Sequence, residues 1–169
     1  MMTKRLTTNL LAVGVILGSV ALWGLGNESR ATLHGSNLQG SWVVTVTPVQ
    51  TPSGSSFQSY NALITFTQDG NVVETSLLPP SRARASTAGH GEWTKTGMRS
   101  FALTYVKLLS DERGNFTGLI RVSESLEPSL SLDDYRGVGK LEILDSTGDV
   151  IESFDIVTQA TRIHIELLL

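Results

Sequence analysis

The 169-residue chain has no cysteine. That excludes disulfide stapling, thiolate metal sites and a lipid-modified cysteine. Positive charge is scarce too: 13 Lys and Arg stand against 16 Asp and Glu. Setting aside Lys4, Arg5, Glu28 and Arg30 in the N-terminal segment leaves ten basic and fifteen acidic residues. An acidic surface of that kind disfavours nucleic acid and anionic membranes as partners. The three histidines, His34, His90 and His164, are scattered. The sequence holds no His-Glu-x-x-His pattern, no nucleophile elbow and no phosphate loop, so neither a metal nor a cofactor is expected. Amphipathic helical periodicity is missing beyond the N-terminal segment, as are the continuous apolar strands of a parallel sheet.

One long apolar run is present, over residues 10–25 behind Lys4 and Arg5. Small residues follow at cleavage spacing, and this is the layout of a secretory signal peptide. The run is slightly short for a spanning helix, which needs about 20 apolar residues. Residues 1–31 are therefore expected to be a signal peptide or an N-terminal anchor, and residues 32–169 the exported domain, periplasmic or extracellular. Contact with a membrane is expected only through an uncleaved leader. Some 138 residues suffice for a core without staples.

That domain reads as strands. The clearest stretch is 91–122. Phe101, Leu103 and Tyr105 fall on one face at period two, with Ala102, Thr104 and Val106 on the other. Asp111 to Asn115 form a Gly-containing turn, and alternation resumes at Phe116. Further runs are 41–47, 61–67, 72–78, 92–96, 135–143, 150–158 and 162–168. A turn with the Asp69-Gly70 pair joins the second and third. Residues 81–90, with Arg82 and Arg84, read as a long polar loop that could grip an anion, and 124–134 as an irregular stretch. Eight or nine consecutive antiparallel strands must hide their edges. The expected fold is all-β, a closed antiparallel up-and-down β-barrel of eight or nine strands behind an N-terminal signal or anchor helix. A two-sheet sandwich is the alternative.

Gly40-Ser41-Trp42 opens the first run, and Arg162 lies near the end of the chain. A Gly-x-Trp on the first strand with an Arg on the last resembles the calycin group, the lipocalins and their relatives. The resemblance spans Gly40 to Arg162, and it implies that Trp42 closes one barrel end with Arg162 packed across it. It also implies an apolar pocket. The sequence departs from the lipocalins in having no helix after the final strand, and its long loop follows the third strand rather than the first. Allene oxide cyclase and dirigent barrels are of similar size and strand content. The segment from His90 to Arg162 is also similar to uncharacterised exported bacterial β-barrel proteins.

These residues point to an exported module holding a small apolar ligand among Trp93, Phe101, Tyr105, Tyr135 and Phe154. His90-Gly91-Glu92-Trp93 offers a second reading, in which His90 and Glu92 flank a pocket mouth and a cyclase or isomerase uses them for proton transfer. In the structural alternative, Gly91 allows a tight entry and Trp93 fills the core. A third possibility is a solid, ligand-free barrel acting as a structural or interaction protein. Arg99, Arg121, Arg136 and Arg162 lie in or beside strands, with Glu92, Glu142 and Glu152 as candidate partners. Apolar residues on both faces of a strand, as with Val43 beside Val44, suggest association through the outer face into a homodimer.

Overall fold

A computed structural model describes residues 38–49, 58–77 and 85–164. They form nine strands: β1 (Gly40–Pro48), β2 (Tyr60–Phe66), β3 (Asn71–Ser76), β4 (Ala85–Ser86), β5 (Gly89–Lys95), β6 (Phe101–Ser110), β7 (Phe116–Pro128), β8 (Asp134–Asp145) and β9 (Val150–Arg162). All pairings are antiparallel. Strand β1 pairs with both β2 and β9, and β6 pairs with both β5 and β7, so the sheet closes on itself. Closure removes the open edges that a sandwich would keep.

Two-residue β4 is an extension of β5. Ala85 and Ser86 face Ser110 and Leu109 of β6, while His90 faces Val106 on the same strand. The register slips by one residue between them, at Thr87 and Ala88, where Thr87 still exchanges hydrogen bonds with Leu108. The barrel thus has eight staves, one of them bulged.

The strands run longer than their sequence pattern indicates. Residues 124–128, read as irregular, continue β7, because Glu124, Leu126 and Pro128 keep the inward parity of Ile120 and Val122. Strand β9 likewise continues through Arg162, and β5 begins at Gly89, inside the stretch read as loop. Residues 163 and 164 follow the end of β9. The expected leader, Arg82, Arg84, His34 and residues 165–168 lie outside the described residues. Among the described residues no helix is long and apolar enough to cross a membrane.

Inward residues alternate along every long strand, as period-two geometry dictates. At the end where β1 begins, the interior is packed with rings. Trp42 meets Tyr135 edge-on at 4.9 Å, Phe66 meets Trp93 at 5.7 Å, and Trp93 meets Phe101 at 5.8 Å. The first two are edge-to-face and the third is tilted; edge-to-face pairs at these separations add about 0.5–1.5 kcal/mol each beyond burial. Both indole N–H groups find backbone acceptors, Leu38 O for Trp42 and Thr67 O for Trp93. Leu38, fully buried, lies in the same core cluster.

Arg162 completes this closed end. It faces Trp42 in the β1–β9 register, its guanidinium lies 4.2 Å from the Trp42 ring centroid, and it donates to Leu132 O and Gln39 O. Gly40 makes this possible: its φ is +121°, and a Cβ there would lie 2.9 Å from Arg162 Nη1.

Candidate functional site

Beyond the aromatic end the barrel interior turns polar. Among the described residues four polar or charged side chains are buried: Glu74 on β3, Lys107 on β6, Glu124 on β7 and Thr158 on β9. Each occupies an inward position by parity. Glu74 follows Val72, Lys107 follows Tyr105, Glu124 follows Val122, and Thr158 follows Ile156.

Lys107 Nζ lies 2.9 Å from Glu74 Oε2, and both side chains are almost wholly buried at 3% and 1% exposure. The ammonium directs its hydrogen bond to Ser76 Oγ at 2.7 Å. The approach to Glu74 is close but poorly aligned, so neither oxygen of Glu74 has a hydrogen-bond partner. A buried carboxylate in that state carries a desolvation penalty of several kcal/mol that its ion pair only partly offsets.

Glu124 accepts a hydrogen bond from Thr158 Oγ1 at 2.6 Å. Burial pushes its carboxyl up to about 7, against the smaller opposing effect of the Thr158 bond. Its space is made by the neighbouring strand. Gly139 is directly opposite Glu124, and Gly137 is two residues away. A Cβ on Gly139 would meet Ser123 O at 2.1 Å and Glu124 Cγ at 2.7 Å, and one on Gly137 would meet Glu124 Oε2 at 2.7 Å.

Tyrosines link the two acids. The hydroxyls of Tyr60 and Tyr105 are raised by burial first; for Tyr60 the charges of Glu74 and Glu124 come next, and for Tyr105 its neighbour Tyr60 comes before both acids. Tyr135 is raised by burial and by Glu124. All three therefore stay protonated at neutral pH. Around them stand Val44, Val46, Ile120, Leu141, Phe154 and Ile156, all buried.

The residues singled out from sequence are divided by this arrangement. Trp93, Phe101 and Tyr135 belong to the aromatic end, whereas Tyr105 borders the polar cluster and Phe154 lies in the wall opposite Leu141. His90 and Glu92 are placed on the outer face, exposed, because Gly89, Gly91 and Trp93 take the inward parity of β5. They do not flank a mouth of the interior. Arg121 also points outward, in an ion pair with Glu142 at 2.7 Å, and Arg99 donates to Pro128 O. Sequence reading missed Tyr60, Glu74, Lys107, Glu124 and Thr158. The signal was parity: Lys107 extends the series Phe101, Leu103, Tyr105 by one step.

A concavity lies outside the barrel. It is an open cleft of about 680 Å³ across β1, β9, β8 and the start of the β7–β8 loop, lined in part by Thr45, Glu127, Asp134, Arg136 and Gln159. Its lining also includes the buried Tyr135 and Ala160, and Thr161 Oγ1 donates to Asp134 Oδ1 at 3.1 Å. Apolar side chains mark another part of the outer face, where Val43 faces Leu63 in the β1–β2 register and Val73 and Val106 flank His90.

These features define a closed eight-stave antiparallel barrel, sealed at one end by rings and carrying a charged cluster within. The chain matches no family model, no curated protein and no solved structure.

Proposed function

We propose that the protein is an exported binding module that holds one small, largely apolar molecule within the barrel, in the manner of a calycin. The observation that carries this reading is the charged cluster of Glu74, Lys107 and Glu124 deep in the interior. A barrel serving only as a solid body gains stability when such groups are replaced by hydrocarbon of similar volume. Binding sites instead combine an apolar wall with a few placed polar groups. Eight strands give an interior of the size that either fills with side chains or holds one small ligand. Strands β1 and β3 end, and β2 and β4 begin, at the end opposite Trp42, and we take that end as the way in. The basic, apolar, small-residue order of the first thirty residues supports export.

Native mass spectrometry of the purified protein tests this. A single small molecule retained in the gas phase and released on unfolding is the expected result. A bare mass that takes up no apolar probe at millimolar concentration would favour the solid barrel.

A second reading also has an observation behind it. Glu124, pushed up to about 7 and neighbouring tyrosine hydroxyls, is suited to moving a proton at neutral pH. A cyclase or isomerase acting on a confined substrate would use Glu124 rather than the exposed His90 and Glu92. Turnover of a bound compound that is lost in Glu124→Gln would favour it over simple binding. The strip formed by Val43, Leu63, Val73 and Val106 further supports self-association through the outer face, which sedimentation of wild type against Leu63→Lys would reveal as a loss of dimer.

A further inference from the structure

We propose that Glu74 and Glu124, with Tyr60 and Tyr105 beside them, form a subsite for the protonated amine of a primary alkylamine or arylalkylamine. The inference rests on the binding reading above and names the class of ligand. Three observations converge on it.

The first is an unmet acceptor. Glu74 Oε1 is buried without a hydrogen-bond partner, on a side chain only 1% exposed. Most buried polar atoms have a partner, and one that lacks it marks a place where a donor belongs. Water could supply a donor, but so could a ligand, and the second and third observations distinguish them.

The second is the balance of charge. With Glu124 ionised, the described interior holds two carboxylates and one ammonium. Lys107 sits against Glu74, while Glu124 accepts from the neutral hydroxyl of Thr158 and, among the described residues, has no cation beside it. One further cation would make the cluster neutral and leave every ionised group compensated. An anionic ligand would add a third negative charge to the same space, and burial makes that costly. A neutral alcohol could donate to one oxygen but would leave Glu124 without a counter-charge.

The third is geometry. A Cβ on Gly89 would meet both Tyr105 and Glu74, at 2.7 and 2.9 Å, and Tyr105 faces Val122, which precedes the inward Glu124 by one step of parity on β7, so Tyr105 stands between the two acids. Glycines rather than side chains back both acids: Gly89 lies behind Glu74, and Gly137 and Gly139 behind Glu124. An ammonium has three donors, enough for Glu74 Oε1, Glu124 and one tyrosine oxygen. The hydrocarbon body then lies along Val44, Val46, Leu141 and Ile156.

The test compares octylamine, octan-1-ol and octanoate by titration calorimetry on the purified protein. The three probes share a chain and differ in the head group. The expected result is that the amine binds at least about tenfold more tightly than the alcohol, and the acid most weakly. Glu124 is about half protonated at pH 7, so capture of an ammonium ionises it. Titrations in buffers of different ionisation enthalpy should then show about half a proton released per amine bound, and none for the alcohol. Glu124→Gln should bring the amine down to the affinity of the alcohol, with the alcohol unchanged. The inference is overturned if the alcohol or the acid binds as tightly as the amine, or if amine binding releases no proton. In either case the binding reading stands on the alcohol alone. If none of the three binds, both are overturned. The probe series and the proton count use the wild-type protein, so the outcome does not depend on the variant folding.

Discussion

Arg162 stacks on Trp42 with its guanidinium 4.2 Å from the ring centroid, and the same side chain ties Gln39 and Leu132 to the barrel end. One residue thus joins the entry to β1, the β7–β8 loop and the last strand. Arg162→Ala removes a cation–π contact and two charge-assisted hydrogen bonds to backbone oxygens. It should lower stability by about 2–4 kcal/mol. Arg162→Lys keeps the charge but not the planar fork, and should recover less than half of that. Urea denaturation of the three proteins checks this. A loss below about 0.5 kcal/mol in the alanine variant would show that the stacking is incidental to stability.

Glu124 gives the protein a pH dependence with a definite sign. Its folded-state carboxyl lies at about 7, above the 4.5 of an ordinary glutamate. Between those values the folded chain binds more protons than the unfolded one, so stability falls as pH rises through that window and levels off above it. The fall between pH 5 and 8 should be roughly 2–3 kcal/mol. Asp111 and Asp145 act elsewhere: their turns hold them below the usual carboxylate value, so their contribution is lost only as pH drops into the acid range. Unfolding midpoints at pH 5 and pH 8 should therefore differ in the wild type and converge in Glu124→Gln. Equal midpoints in the wild type would mean that Glu124 stays ionised throughout.

Why the barrel was legible while its charged interior was not can be traced to single residues. Phe101, Leu103 and Tyr105 on β6 and Trp42, Val44 and Val46 on β1 announce their inward faces by apolar character, and alternation carries the rest of each strand. Gly40, Trp42 and Arg162 are far apart in sequence, yet their pairing at the closed end follows once first and last strands adjoin. Lys107, Glu74 and Glu124 obey the same parity, but a charged residue in a strand is by default read as solvated. The same default cut β7 short at Glu124. At His90 and Glu92 the inward parity belongs to two glycines, which carry no hydropathy signal of their own, so the chemistry of the polar residues drew the reading inward.

The glycines of β8 should be intolerant for a reason that their neighbours make specific. A methyl at Gly139 would sit 2.1 Å from Ser123 O, a backbone atom that cannot swing aside. Gly139→Ala should cost about 1–3 kcal/mol through a shift of β7 against β8, and it should disturb Glu124. At Gly97 the nearest atoms to such a methyl are 3.5 Å away, an ordinary contact. Gly97→Ala should stay within about 0.5 kcal/mol of wild type. Thermal unfolding of both variants is the check, and equal behaviour would mean that the β7–β8 approach is looser than it stands.

The ion pair of Lys107 and Glu74 allows a test of whether the interior is shaped for stability or for a ligand. Lys107→Met strands a buried carboxylate and should cost about 3–5 kcal/mol. Glu74→Leu strands the ammonium, although Ser76 Oγ still accepts from it at 2.7 Å, so its cost should be smaller. The double variant Glu74→Leu, Lys107→Met removes both charges and fills the same volume with hydrocarbon. It should be at least as stable as wild type, by the same logic that makes buried ion pairs replaceable. If the interior exists to hold a polar head group, that stabilised protein should also lose its affinity for octylamine while keeping a well-dispersed NMR spectrum. A double variant several kcal/mol less stable than wild type would instead make the pair a structural element of the barrel.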